Sequence, residues 1–172
     1  MFIGPIKNEI GNGEIYSDLV TTAIKNEKIR NRIIEQTILS IEQYRNDNLG
    51  KLLGDLFVRT MKYNDFSIRE YNTLLFSLDM MHPFIGLETL RNFYEYKVKM
   101  DNETNLEKQT RIWNEHASMD YSGLSNTLLL VLPHGGSYTG DAGGAFINEL
   151  GYRFYKKIII ECDNINLTIV ST

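Results

Sequence analysis

Cysteine is almost missing from this chain of 172 residues, which holds Cys162 alone. One thiol cannot form an internal disulfide, so the sequence carries no mark of an oxidising compartment. Long apolar runs are missing as well, since the longest candidate, Thr127 to Pro133, is far shorter than the roughly eighteen residues of a membrane helix. We therefore expect a cytoplasmic protein with no membrane segment.

Basic residues are missing from one long interval of the chain. The net charge is −4, and no Lys or Arg stands between Arg111 and Arg153. That interval holds four acidic residues, Glu115, Asp120, Asp141 and Glu149. Because DNA is bound through cations that neutralise its phosphates, this composition disfavours nucleic acid as a partner. The local basic cluster, Arg153, Lys156 and Lys157, is the candidate nucleic-acid contact that remains.

Helical periodicity dominates the first hundred residues. Apolar residues recur every three or four positions, which predicts a bundle of about five helices. The most complete start signal is the S-x-x-E capping box of Ser67 and Glu70. The polar stretch Met100 to Asn105 predicts a boundary, so we expect a helical bundle over residues 1–100 and a C-terminal subdomain over 101–172, packed as one unit.

The C-terminal subdomain follows a recognisable order of elements. We expect a helix around Leu106 to Ala117 and a leucine-rich helix around Tyr121 to Val131. A glycine-rich loop follows, then a short strand within Ala145 to Asn148. A last helix covers about Glu149 to Ile160, with Asn148 as its cap. This order predicts a winged-helix-like unit in a mainly α protein, with the loop as the wing of a short β-hairpin.

The glycine-rich loop is a poor match to phosphate-binding motifs. Gly135 and Gly140 have the spacing of a Walker A loop, but Asp141 and Ala142 stand where Lys and Ser or Thr are needed. The three histidines are isolated from one another and no H-E-x-x-H motif is present. We therefore expect neither a cofactor nor a metal site.

Catalysis by the same loop stays open as an alternative. His134 to Gly136 has the H-G-G pattern of an esterase oxyanion turn, and Ser137 lies in a sequence similar to a nucleophile elbow. Thr139 stands where that elbow needs glycine. A small hydrolase or toxin using His134 and Ser137 is consequently the second alternative function.

Aromatic residues flank the loop and offer contacts to a partner protein. Tyr138 lies within the loop and Tyr152 shortly after it. Aromatic side chains dominate the energetics of protein interfaces, so Tyr138, Tyr152 and His134 are the candidate partner-binding residues.

Two parts of the chain resemble the Abi-alpha family of bacterial and phage proteins linked with abortive infection. The C-terminal likeness consists of a leucine-rich segment (Leu128 to Leu132), a glycine-rich wing (His134 to Gly144) and the pattern L-G-x-x-F at Leu150, Gly151 and Phe154. The upstream stretches LGKLLGDLF (Leu49 to Phe57) and SLDMMHPFIGLETLRNFYEY (Ser77 to Tyr96) are also similar. The resemblance implies a role in antiviral defence.

These observations favour a non-catalytic intracellular protein that binds or regulates through protein contacts, acting in phage–host conflict if it shares the role of that family. A DNA-binding winged-helix regulator is the first alternative. A homo-oligomer is left open.

Overall fold

The computed structural model describes residues 24–43, 47–82, 85–132 and 144–164, which are mainly α-helical as predicted. Their helices are α1 (Glu27–Gln43), α2 (Asp47–Met61), α3 (Ile68–Met80), α4 (Gly86–Asn102), α5 (Leu106–Ala117) and α6 (Glu149–Phe154). A 3₁₀ turn covers Ser122–Leu124, and a π-helix, Tyr155–Ile160, continues α6. The strands β1 (Leu130–Val131) and β2 (Phe146–Ile147) form one antiparallel pair.

The start of α3 confirms the predicted capping box. The Ser67 hydroxyl accepts a hydrogen bond from the Glu70 backbone N–H at 3.2 Å, and the Ser67 backbone N–H donates to Glu70 Oε2 at 2.8 Å. Each side chain thus satisfies a backbone donor that the helix itself leaves free. The boundary of α3 is therefore encoded within four residues.

The core lies between α2, α3, α4 and the α6–π segment. Its largest fully buried side chains include Phe57, Tyr71, Phe93, Phe154, Leu52, Leu56, Leu74 and Leu90. A buried hydrogen bond of 2.7 Å joins the hydroxyls of Thr37 on α1 and Tyr71 on α3, so the Tyr71 hydroxyl is satisfied. α1 is thereby oriented on the bundle.

The apolar core includes residues from both sides of the predicted boundary at residue 100. Leu90 and Phe93 precede that boundary, while Phe154 and Ile158 follow it, and all four belong to one cluster. α4 ends at Asn102, within the polar stretch that suggested the boundary. The division into residues 1–100 and 101–172 stays a prediction.

The prediction of a leucine-rich helix around Tyr121 to Val131 is wrong. The segment forms the 3₁₀ turn and then β1. Asp120 accepts a hydrogen bond from the Ser122 backbone N–H at 2.8 Å, and the Thr127 hydroxyl donates to the Leu124 carbonyl at 2.8 Å. Such local bonds compete with helix formation, and the pairing of β1 with β2 then decides the conformation.

The short strand and the closing helix were correctly predicted, with Asn148 as the cap of α6. The π-helix is the unpredicted feature. Its bonds span five residues, as in the 3.1 Å bond from the Glu161 backbone N–H to the Lys156 carbonyl. It extends the helical segment to Ile160, the predicted end.

Candidate functional site

The β-hairpin has one buried and one outward side. Leu130 pairs with Ile147 and Val131 with Phe146. Side chains of directly paired residues lie on the same side of an antiparallel ladder. Leu130 and Ile147 are buried, whereas Val131 is 51% exposed. Val131 and Phe146 consequently define the outward side, on which Phe146 is half-buried.

Asn148 holds the hairpin against the start of α6. Its side-chain N–H donates to the Leu128 carbonyl at 2.8 Å, and its Oδ1 accepts from the Gly151 backbone N–H at 2.8 Å. A Cβ at Gly151 would lie 2.6 Å from the Leu129 carbonyl oxygen. The close contact between α6 and β1 therefore requires glycine at this position.

α5 is an unusually exposed helix. Asn105 caps it by accepting hydrogen bonds from two backbone N–H groups, and His116 is its one buried residue. Leu106 is 76% exposed and Trp113 is 43% exposed. Leu106, Thr110, Trp113 and Ala117 are separated by four, three and four residues, which places them on one side of a helix.

Trp113 connects this side of α5 to the hairpin. Its ring centroid lies 5.2 Å from that of Phe146, and Phe146 pairs with Val131. We call the combined surface the α5–hairpin face; its residues are Leu106, Thr110, Trp113, Ala117, Val131 and Phe146. None of the six carries a charge.

His116 lies directly beneath the α5–hairpin face. Its ring stacks on Tyr96 with centroids 3.5 Å apart, and it contacts Phe93 at 5.2 Å and Phe146 at 5.0 Å. Burial lowers the pKa of His116, and a contact with the Ala145 backbone offsets this only in part. The neutral imidazole therefore acts as an aromatic support for Phe146.

The predicted nucleic-acid contacts are largely engaged with other side chains. Arg153 forms an ion pair with Glu70 of α3. Lys157 is paired with Glu161 at 3.1 Å, and Lys156 is exposed. The use of these residues in binding DNA stays a prediction.

Among the predicted partner-binding residues, the structure describes Tyr152. Its ring stacks on Tyr94 of α4 with centroids 5.0 Å apart. His134 and Tyr138 lie outside the described residues, as does Ser137 of the hydrolase alternative. Tyr152 is thus brought to α4, and its role in binding a partner stays a prediction.

A second cluster lies between α2 and the end of the π-helix. It borders a cleft of about 310 Å³ lined by Asp55, Val58, Arg59, Tyr63, Glu161 and Cys162. Arg59 is paired at 3.1 Å with both Asp65 and Glu161. Burial raises the pKa of the Cys162 thiol, which keeps it protonated and a weak nucleophile.

This second cluster is best explained as the cap of the π-helix. Lys51 donates to the Cys162 carbonyl at 2.6 Å, and the Asn164 amide donates to the Ile158 carbonyl at 2.7 Å and to Asp55 at 2.8 Å. These bonds satisfy carbonyls at the end of the helix. Across the described ranges, no group of three or more His, Cys, Asp or Glu residues is placed to hold a metal ion.

Sequence reasoning missed the α5–hairpin face. The four, three, four spacing behind the cap Asn105 was a visible signal for one apolar side of α5. Whether that side faces solvent depends on its neighbours, and His116 occupies the adjoining buried position.

Comparisons with protein-family models, with curated proteins and with solved structures find no match for this chain. Of the helices that the structure describes, none is long and apolar enough to span a bilayer.

Proposed function

We propose that this protein acts without catalysis, by binding another protein through the α5–hairpin face. The observation that carries the proposal is the exposure of Trp113 and Val131 on either side of Phe146. A contiguous exposed apolar surface marks an interaction site, and tryptophan is among the residues that contribute most to binding.

The surroundings of the face support an apolar contact with a polar rim. Glu107 and Asn114 lie on α5 beside this face and are both exposed. His116 and Tyr96 support Phe146 from below, so the aromatic anchor is held in place before binding. A pre-organised anchor loses less conformational freedom when a partner binds.

The cellular setting that we propose is phage–host conflict in the cytoplasm. The support is the resemblance of Leu128 to Leu132 and of Leu150, Gly151 and Phe154 to the Abi-alpha family. A plating assay tests it: bacteria that express the chain should resist a phage that lyses cells with an empty vector. Equal plating across a broad phage panel would contradict this setting.

We further propose that the C-terminal unit has a winged-helix-like fold. In its support, a hairpin precedes the N-capped helix α6 in the expected order. The 3₁₀ turn at Ser122–Leu124 replaces the helix that would enter a DNA groove. We therefore assign the unit to protein binding.

Affinity purification from the native cells tests the binding function. Tagged wild-type protein should retain at least one protein that tagged Trp113→Ala loses by about thirty-fold, the effect of removing an interface hot spot. The matched control is Leu39→Ala on α1, because Leu39 is 55% exposed and lies outside the face. Identical sets of proteins on all three baits would overturn the proposal.

A further inference from the structure

We propose that the α5–hairpin face binds a second copy of this chain, with the two α5 helices packed antiparallel. This inference rests on the proposed function, because it names the partner of the same surface. It follows from the order of large and small side chains along α5.

The exposed side of α5 has the spacing of a helix-pairing seam. Leu106, Thr110, Trp113 and Ala117 follow intervals of four, three and four residues, which match the a and d positions of a heptad. All four are exposed, whereas the buried residue of the helix, His116, lies on the adjoining side. The described chain leaves this seam unpaired.

The sizes of the seam residues are complementary to themselves in reverse order. The two-fold axis passes between the two helices, at the level midway between Arg111 and Ile112. It sets Leu106 opposite Ala117 of the second copy. The same axis sets Trp113 opposite Thr110. Each bulky side chain then meets a small one, and the same patch serves both copies as a two-fold interface requires.

Parallel pairing lacks this fit. It would place Leu106 against Leu106 and Trp113 against Trp113, leaving Ala117 opposite Ala117 with a gap between the helices. Antiparallel pairing also sets the N-terminus of each α5 beside the C-terminus of the other, where the helix dipoles attract. The observed order of residues therefore favours the antiparallel dimer.

Charges along the seam do not oppose the dimer. Arg111 and Glu115 pair with each other at 3.1 Å on the side of α5 that is turned away from the seam. In the antiparallel register Glu107 lies near the level of Asn114 of the second copy, away from the other Glu107. Val131 and Phe146 lie beside Trp113 and widen the contact beyond α5, whose length is about 18 Å.

Cysteine cross-linking tests the arrangement directly. Leu106→Cys and Ala117→Cys are made separately in a Cys162→Ser background, which removes the native thiol. In the antiparallel dimer like positions are about 16 Å apart, too far for a disulfide, whereas position 106 lies opposite position 117. We expect a mixture of the two variants to form a covalent dimer under mild oxidation and each variant alone to form no covalent dimer.

Two cross-linking results would overturn the inference. Disulfides that form within each variant alone, and not between the two, would indicate parallel pairing. No cross-link in the mixture or in either variant, with folded protein by circular dichroism, would exclude α5 as the contact.

Sedimentation measures whether the dimer exists in solution. Wild-type protein should sediment as a dimer at about 100 µM, in the affinity range of a small interface. Leu106→Glu should raise the dissociation constant by at least tenfold, while an acidic residue in the first turn keeps the monomer helix stable. Leu39→Glu on α1 is the matched control and should remain dimeric.

The outcome separates this inference from the proposed function. A wild-type monomer at about 100 µM, or a Leu106→Glu protein that dimerises like wild type, overturns the homodimer. If a foreign protein is still lost with Trp113→Ala, the binding function stands without the homodimer. If the dimer forms and no other protein depends on Trp113, self-association is the whole activity of the face.

Discussion

The imidazole of His116 lies almost flat on the phenol ring of Tyr96, with centroids 3.5 Å apart and planes inclined by 11°. His116 is 1% exposed, so its charged form would lose nearly all its hydration. Burial accordingly lowers the pKa of this histidine below its ordinary value.

Protein stability should therefore fall as the pH drops below about 6.5, the ordinary pKa of histidine. The unfolded chain binds a proton there, whereas the folded chain binds it only at lower pH, so protons favour unfolding. Urea unfolding between pH 7.5 and 5.5 measures the slope. His116→Phe should flatten it, and Leu39→Ala, which changes an exposed residue that does not titrate, should not. An unchanged slope in His116→Phe would refute the assignment.

Removing the cap of α3 should destabilise the protein by about 1 kcal/mol. Burial alone would raise the pKa of Glu70, but hydrogen bonds from Ser67 and Arg153 hold it below the ordinary value. Ser67→Ala removes the bond of 3.2 Å from the Glu70 backbone, and Ser67→Thr retains an acceptor there. We expect denaturant midpoints in the order wild type, Ser67→Thr, Ser67→Ala. Equal denaturant midpoints for Ser67→Ala and Ser67→Thr would show that the cap contributes little to the stability of the protein.

Gly151→Ala should destabilise the protein by about 1–3 kcal/mol. Its Cβ would lie 2.6 Å from the Leu129 carbonyl oxygen, a backbone atom that moves only with the hairpin. Thermal unfolding measures the loss. Glu149→Ala, an exposed position two residues earlier, is the control and should change stability by under about 0.5 kcal/mol. A Gly151→Ala protein as stable as wild type would show that α6 can shift away from β1.

Replacing Asn164 by Asp should destabilise the protein more than replacing it by Ala. Asn164 is buried and donates from one amide to both Asp55 and Ile158. Alanine removes the side-chain donor to the Ile158 carbonyl and leaves Asp55 with Lys51, at a cost of about 1–3 kcal/mol, while aspartate faces both acceptors with a further acceptor and a charge. Unfolding at pH 7 should give the order wild type, Asn164→Ala, Asn164→Asp. If the Asn164→Asp protein were as stable as wild type, that result would contradict the observed direction of these bonds.

Helix starts were the part of the fold most open to prediction from sequence. Ser67 with Glu70, and Asn148 before α6, act within three residues of the chain, and both caps were confirmed. The leucine-rich segment was not predictable in this way, because a short apolar run suits a strand or a helix equally. Its state depends on Ile147, which pairs with Leu130 from beyond the glycine-rich loop.

The candidate site was less predictable than the fold. The sequence displayed Trp113 and Phe146 as aromatic residues but did not reveal that their rings lie 5.2 Å apart. From the sequence, Arg153 was a candidate cation for binding DNA. In the structure it forms an ion pair with Glu70 of α3. Charge content alone does not identify such pairs, because the partners are remote in the chain.

By itself, the sequence determined the mainly helical class, the caps and the scarcity of cations near the hairpin, since each depends on residue type and near neighbours. Tertiary structure alone decided that His116 is buried, that Trp113 is exposed and that Leu130 lies in a strand. These outcomes depend on contacts between distant segments, whose packing determines which side of an amphipathic element loses water.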